Sequence, residues 1–213
     1  MLRLKVGKLL LRRVVKRFKT TWPILLALVV IVASIGYRHI MPIIINPVAY
    51  GPLLEVIAKG ESSGNYNAYF GNGTNTSLRF TEMSVGEVLQ WQEQYVQQGS
   101  VSNAVGKYQI IRPTLAGLVQ KLGTPLDAPF NEALQDSMAI ALLERRGAID
   151  FAENKITREQ FAANLAKEWA ALPKVTGTNP HESYYAGDGI NKAHVSIDEV
   201  YEALAMLQSR LSA

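Results

Sequence analysis

The sequence predicts a mainly helical domain with one irregular polar insertion after its first helix, carried behind a single N-terminal transmembrane helix. Three observations predict this. A basic start abuts a charge-free apolar run at 24–36. Six later stretches place apolar residues at helical spacing, several behind capping residues. Between the first two of them, residues 62–80 are rich in Ser, Gly, Asn and Thr and read as turns with room for a small hairpin.

The N-terminal elements come first. Residues 1–22 contain eight Lys/Arg and no acid, so they form a basic tail. Residues 23–45 form the expected signal anchor. Its centre, ILLALVVIVASIG, carries no charge and is flanked by Trp22 and Tyr37, as aromatic belts flank a span. The uncharged stretch is short against the roughly 20 residues of a full span. Arg38 and His39 can snorkel, and Ile40–Ile45 can lie in the headgroup zone. The positive start predicts a cytoplasmic N-terminus and a periplasmic remainder, held in the inner (or virion) membrane. A cleaved signal peptide and a buried core helix are the competing readings. The first lacks a small-residue cleavage site, since Tyr-Arg-His-Ile-Met follows the run. The second leaves the abutting charge asymmetry without a cause.

Residues 46–52, NPVAYGP, read as a linker before a domain over 53–213. In that domain Leu53, Leu54, Ile57 and Ala58 predict a helix ending near Gly60. Ser84 with Glu87 predicts a capped helix to Gln98. Further helices are expected near 112–121, 130–146, 157–171 and 195–211, the last two behind the capping pairs Thr157/Gln160 and Ser196/Glu199.

Composition excludes several chemistries. The chain has 213 residues and no cysteine, so there is no disulfide frame and no thiolate. His39, His181 and His194 lack metal-ligand spacing, and neither a metal nor another cofactor is expected. The net charge of +4 belongs to the tail; beyond residue 22 the chain has 14 basic and 18 acidic residues. An acidic body behind an apolar run argues against a nucleic-acid binder.

Three segments could carry chemistry. Glu61 ends the first helix and opens the polar insertion. Packing there would raise its pKa, because burial disfavours the charged carboxylate, and a carboxylic acid still protonated near neutral pH can protonate a glycosidic oxygen. The plain alternative is an exposed helix-end Glu. In AVGKYQII, Gly106 permits a tight turn, while Tyr108 and Gln109 pair a ring with an amide, groups that commonly hold sugars; a core Tyr108 is the alternative. In ESYYAGDGINKA, Tyr184 and Tyr185 are further sugar-binding candidates, and Asp188 reads as a turn residue rather than a second acid.

GESSGNYNA, AVGKYQII, QDSMAIALLERRG, LAKEWAALP and YYAGDGINKA stand in this order over about residues 53–207. Together they resemble the lysozyme-like muramidases of the lambda-type phage endolysin family, relatives of the soluble lytic transglycosylases. The resemblance implies a lysozyme-like α+β fold, mainly helical and two-lobed, with a cleft for peptidoglycan glycan strands. It implies cleavage between N-acetylmuramic acid and N-acetylglucosamine, with Glu61 as acid and Gly106, Tyr108 and Gln109 lining the cleft. Trp169, in the segment behind the cleft, reads as core.

Hydrolytic lysozymes generally use two carboxylates. Here no Asp or Glu lies between Glu61 and Glu82. A lytic transglycosylase needs only one, since the muramic acid's 6-hydroxyl replaces water and a 1,6-anhydro end forms. The expectation is therefore a transglycosylase. A hydrolytic muramidase using Glu82 or Glu87 as second acid, or a non-catalytic glycan-binding module of the same fold, are the alternatives.

Overall fold

The structure, a computed structural model, describes residues 46–211. The tail expected at 1–22 and the anchor expected at 23–45 lie outside the described residues. No helix among the described residues is long and apolar enough to cross a membrane.

Seven α-helices are present among the described residues: α1 Gly51–Ser62, α2 Val85–Gln97, α3 Arg112–Leu122, α4 Glu132–Arg145, α5 Ala148–Ala152, α6 Arg158–Ala166 and α7 Ile197–Leu211. One core joins them, and α1 packs mainly on α7. Leu53 and Ile57 of α1 are fully enclosed, each such side chain stabilising the fold by roughly 1.5–3 kcal/mol. The predicted caps form. Ser84 and Glu87 close a capping box on α2, Thr157 and Gln160 another on α6. Ser196 and Glu199 exchange the same two bonds before α7.

Three elements differ from expectation. The segment 46–52, read as a linker, belongs to the packed domain. Pro47–Tyr50 form a 3-10 turn whose Ala49 and Tyr50 are buried, and Pro52 sits in the first turn of α1. A proline there costs no hydrogen bond, because the first N–H groups of a helix are unpaired anyway, so the prolines start the helix rather than hold it apart.

The β part of the expected α+β class is reduced to isolated bridges, among them Tyr69 with Asn72, Tyr69 with Val105, and Val105 with Ile110. The insertion is organised by asparagines instead. Asn75, buried, donates to the carbonyls of Asn67 and Leu78 and accepts from the N–H groups of Ser77 and Leu78. Asn67 Oδ1 accepts from Thr81 N–H, and Asn65 Nδ2 donates to the carbonyls of Gly73 and Asn75. Side-chain amides here satisfy backbone groups that a strand ladder would otherwise pair.

The helix expected over 157–171 ends at Ala166. In a continuing helix the Ala171 N–H would bond the Lys167 carbonyl. That carbonyl instead accepts from Arg146 Nη2 at 3.0 Å and from the Tyr185 hydroxyl at 2.8 Å. The chain leaves the helix where the Glu168 N–H bonds the Leu165 carbonyl at 2.8 Å, and Pro173 disfavours its return.

Candidate active site

Glu61 lies in the last turn of α1. The helix stops there because Ser63 and Gly64 take left-handed backbone angles, with φ of 53° and 83°. Next to Glu61, Ser62 is buried, and its hydroxyl donates to the Lys107 carbonyl at 2.7 Å. This bond ties the end of α1 to the segment 104–110.

Gly60 is the other reason the site is tight. A Cβ placed there would come within 2.8 Å of the Ala171 Cβ, so only glycine lets the post-α6 segment approach the helix this closely. The approach brings the Ala171 N–H to Glu61 Oε1 at 3.0 Å. On its other side the Ala171 carbonyl accepts from the His194 N–H at 2.8 Å. Three chain segments, α1, 167–172 and the stretch before α7, therefore meet at the acid.

Burial pushes the Glu61 carboxyl up to about 7, opposed only in part by the Ala171 N–H, which favours the charged form. At that value the group is protonated in about half the molecules at neutral pH. It can donate a proton and, once ionised, take one back.

The other expected site residues separate into two groups. Gly106 has φ of 78°, and a Cβ there would lie 2.3 Å from Gln135 Oε1. The turn it permits places Gln109, half-buried and itself at φ of 46°, beside Gly106, whose carbonyl accepts from Gln109 Nε2 at 2.9 Å. Tyr108 is different. It is 1% exposed, and its hydroxyl donates to Asp136 at 2.7 Å. Burial, followed by the bond to Asp136, raises its pKa. Its ring has no open face for a sugar, so the expected stacking role is corrected to support of the 104–110 turn. Within 104–110 only Gln109 is left partly accessible. Tyr184 and Tyr185 are 51% and 41% exposed, with rings 5.2 Å apart edge to face. Their loop is fastened by the bridge from Ser183 to Pro173, two residues beyond Ala171. An open cavity of about 460 Å³ lies within the loop 181–193. Glu61 is not part of its wall; the connection runs through Ala193, the residue before His194.

The candidate second acids are engaged elsewhere. Glu82 is exposed and pairs with Arg79 at 3.1 Å. Glu87 caps α2, and the Ser84 N–H and hydroxyl hold its pKa down. Asp188 accepts from the N–H groups of Ile190 and Asn191, which is the turn role.

A cluster around the buried Lys107 was not anticipated. Lys107 Nζ is 2.7 Å from Glu55 and 3.3 Å from the Tyr66 hydroxyl. Burial works against its charge, but Glu55 and Tyr66 outweigh it and the pKa is raised. Tyr66 also donates to Asp136 at 2.9 Å, and Gln135 Oε1 accepts the Lys107 N–H. The one signal in the sequence was Lys107's place inside the Gly-Lys-Tyr-Gln motif. Its partners come from α1, the insertion and α4, 28 to 52 positions away.

A half-buried carboxylic acid poised near neutrality at a helix end is a group equipped for general acid–base chemistry. Residues 53–190 match the model of the endolysin family, and the chain belongs to that family. It is thus a phage enzyme of cell-wall degradation, acting on peptidoglycan. No curated protein and no solved structure matches it.

Proposed function

We propose that this endolysin is a lytic transglycosylase of the lambda-type, lysozyme-like kind, cleaving between N-acetylmuramic acid and N-acetylglucosamine with Glu61 as both acid and base. One observation carries the reading: Glu61 is raised to about 7, while of the next acids in the chain Glu82 stands exposed beside Arg79 and Glu87 caps a helix. A hydrolase of the usual design needs a second, free carboxylate across the bond.

In the proposed reaction, protonated Glu61 gives its proton to the glycosidic oxygen as the bond from the muramic acid C1 breaks. The resulting carboxylate then takes the proton of the same sugar's 6-hydroxyl as O6 bonds to C1. Glu61 regains its proton, no water is consumed, and the product ends in 1,6-anhydro-N-acetylmuramic acid. The substrate's own hydroxyl is already in place, and this proximity stands in for a second carboxylate. Gln109 supplies an amide for sugar hydroxyls, Gly106 shapes the turn that presents it, and the exposed rings of Tyr184 and Tyr185 offer apolar faces to the glycan.

We further propose that residues 23–45 anchor the enzyme in the inner membrane, with the basic tail in the cytoplasm and the catalytic domain facing the wall.

Mass spectrometry of the released muropeptides tests the reaction, since an anhydro end is one water lighter than a reducing end. Anhydro ends are expected. Reducing ends alone would make the enzyme a hydrolytic muramidase, and Glu82 would be the first residue to examine as its second acid.

A further inference from the structure

Two of the sequence segments contribute charged residues that the proposed reaction does not use. They are Arg145 and Arg146, at the end of α4, and Glu168, just past α6. The Glu168 side chain is 7% exposed, and both guanidinium groups reach it. Arg145 Nη2 lies 2.7 Å and 2.8 Å from its two oxygens, and Arg146 Nε lies at 2.6 Å. Arg146 does a second thing. Its Nη2 donates to the Lys167 carbonyl, the acceptor that Ala171 would use if the helix went on. Held away from that carbonyl, the Ala171 N–H goes to Glu61 instead.

We propose that Glu168, Arg145 and Arg146 are positioning residues: they hold the helix open after Ala166 so that the Ala171 N–H is delivered to the Glu61 carboxylate. The Tyr185 hydroxyl shares the Lys167 carbonyl with Arg146. The same bracket therefore joins the acid to the loop that carries the two exposed tyrosines. The functional half of this inference rests on Glu61 being the acid; the structural half does not.

The clamp acts on Glu61 through one hydrogen bond. Other charges around α1 are already paired: Lys59 with Glu199 of α7, and Glu55 with Lys107 of the 104–110 segment. His194 is exposed beside Ala171, and its backbone, not its ring, makes the contact. Releasing the clamp lets the 167–172 segment shift and withdraws the Ala171 N–H from the Glu61 carboxylate, which loses its donor. Loss of a donor to the charged form raises the pKa, so Glu61 should titrate at higher pH.

The test is the titration of Glu61 followed by carbon-13 NMR in the full chain, labelled at glutamate carboxyls, its resonance identified by its loss in Glu61→Gln. Glu168→Gln should move the midpoint up by roughly half a pH unit or more. Arg146→Gln, at a half-exposed site and easier on folding, should move it the same way. The alkaline limb of the lysis–pH profile should follow. An unmoved midpoint in a folded variant overturns the proposal, because a merely structural clamp would leave the titration alone. A midpoint that moves while the limb stays fixed supports the clamp and instead refutes Glu61 as the acid of the reaction.

Discussion

Replacing Glu61 by Gln should make the protein inactive and, at alkaline pH, more stable. The unfolded chain holds this carboxyl at its ordinary value of 4.5, and the fold raises it to about 7. Below 4.5 the group is protonated in both states and folding is not penalised. As pH rises through 7 the folded state must carry a charge that burial disfavours, and stability is lost. The gap between the two values corresponds to roughly 3 kcal/mol by linkage. Because the residue is half-buried, screening makes this an upper figure. Glutamine has no proton to lose and its amide oxygen can still accept the Ala171 N–H. The stability of Glu61→Gln relative to the unaltered chain should therefore be nearly flat below pH 4.5. It should then grow toward roughly 3 kcal/mol by pH 8, a shift in Tm of about 6–12 °C for a domain of this size. Other titrating groups cancel in the comparison. Urea melts at pH 4.5, 6, 7 and 8 measure it. Lysis of peptidoglycan should fall at least about a hundredfold, the usual scale of general acid catalysis. A stability difference that does not change with pH would refute the buried, raised carboxyl; near-normal lysis by the folded variant would refute its catalytic role.

Gly106→Ala should destabilise the domain by at least about 2 kcal/mol, since φ of 78° disfavours any side chain and the new Cβ would sit against Gln135; thermal melting reports it, and an unchanged Tm would show that the 104–110 turn is not needed as described. Ser84→Ala breaks the capping box of α2 and should cost about 1 kcal/mol, a drop of about 2–4 °C. If residues 23–45 anchor the chain, protein in spheroplasts should resist high-salt extraction while external protease digests the part beyond about residue 46. Release by salt would indicate a basic tail held only at an anionic surface, because that attraction is screened.

Helices were legible because their signals are local. Ser84 with Glu87, Thr157 with Gln160, and the apolar spacing of Leu53, Leu54, Ile57 and Ala58 each lie within one or two turns. Their physics does not wait for distant partners. Glu61 was legible as a candidate because of where it stands, at the junction of a helix and a polar insertion. Its tuned carboxyl was an expectation that needed the fold: burial, and the Ala171 N–H from 110 residues away. No short-range pattern reports a contact of that separation.

The tertiary structure alone decided which way each side chain of the Gly-Lys-Tyr-Gln motif faces. Tyr108 and Lys107 turned inward because Asp136, Glu55 and Tyr66 offered bonds there, leaving Gln109 the more accessible. It also ended α6 at Ala166 within a stretch whose sequence continues to read as helix: the Glu168 N–H bonds the Leu165 carbonyl, and the Lys167 carbonyl accepts from Arg146 and Tyr185. In the insertion, read from sequence as turns with room for a small hairpin, Asn65, Asn67 and Asn75 bond the backbone groups of the turns. Sequence by itself determined the helices and singled out the acid as a candidate, since propensity and capping act between neighbours. The fold decided the acid's strength and its surroundings, since desolvation and long-range hydrogen bonds exist only once remote segments have met.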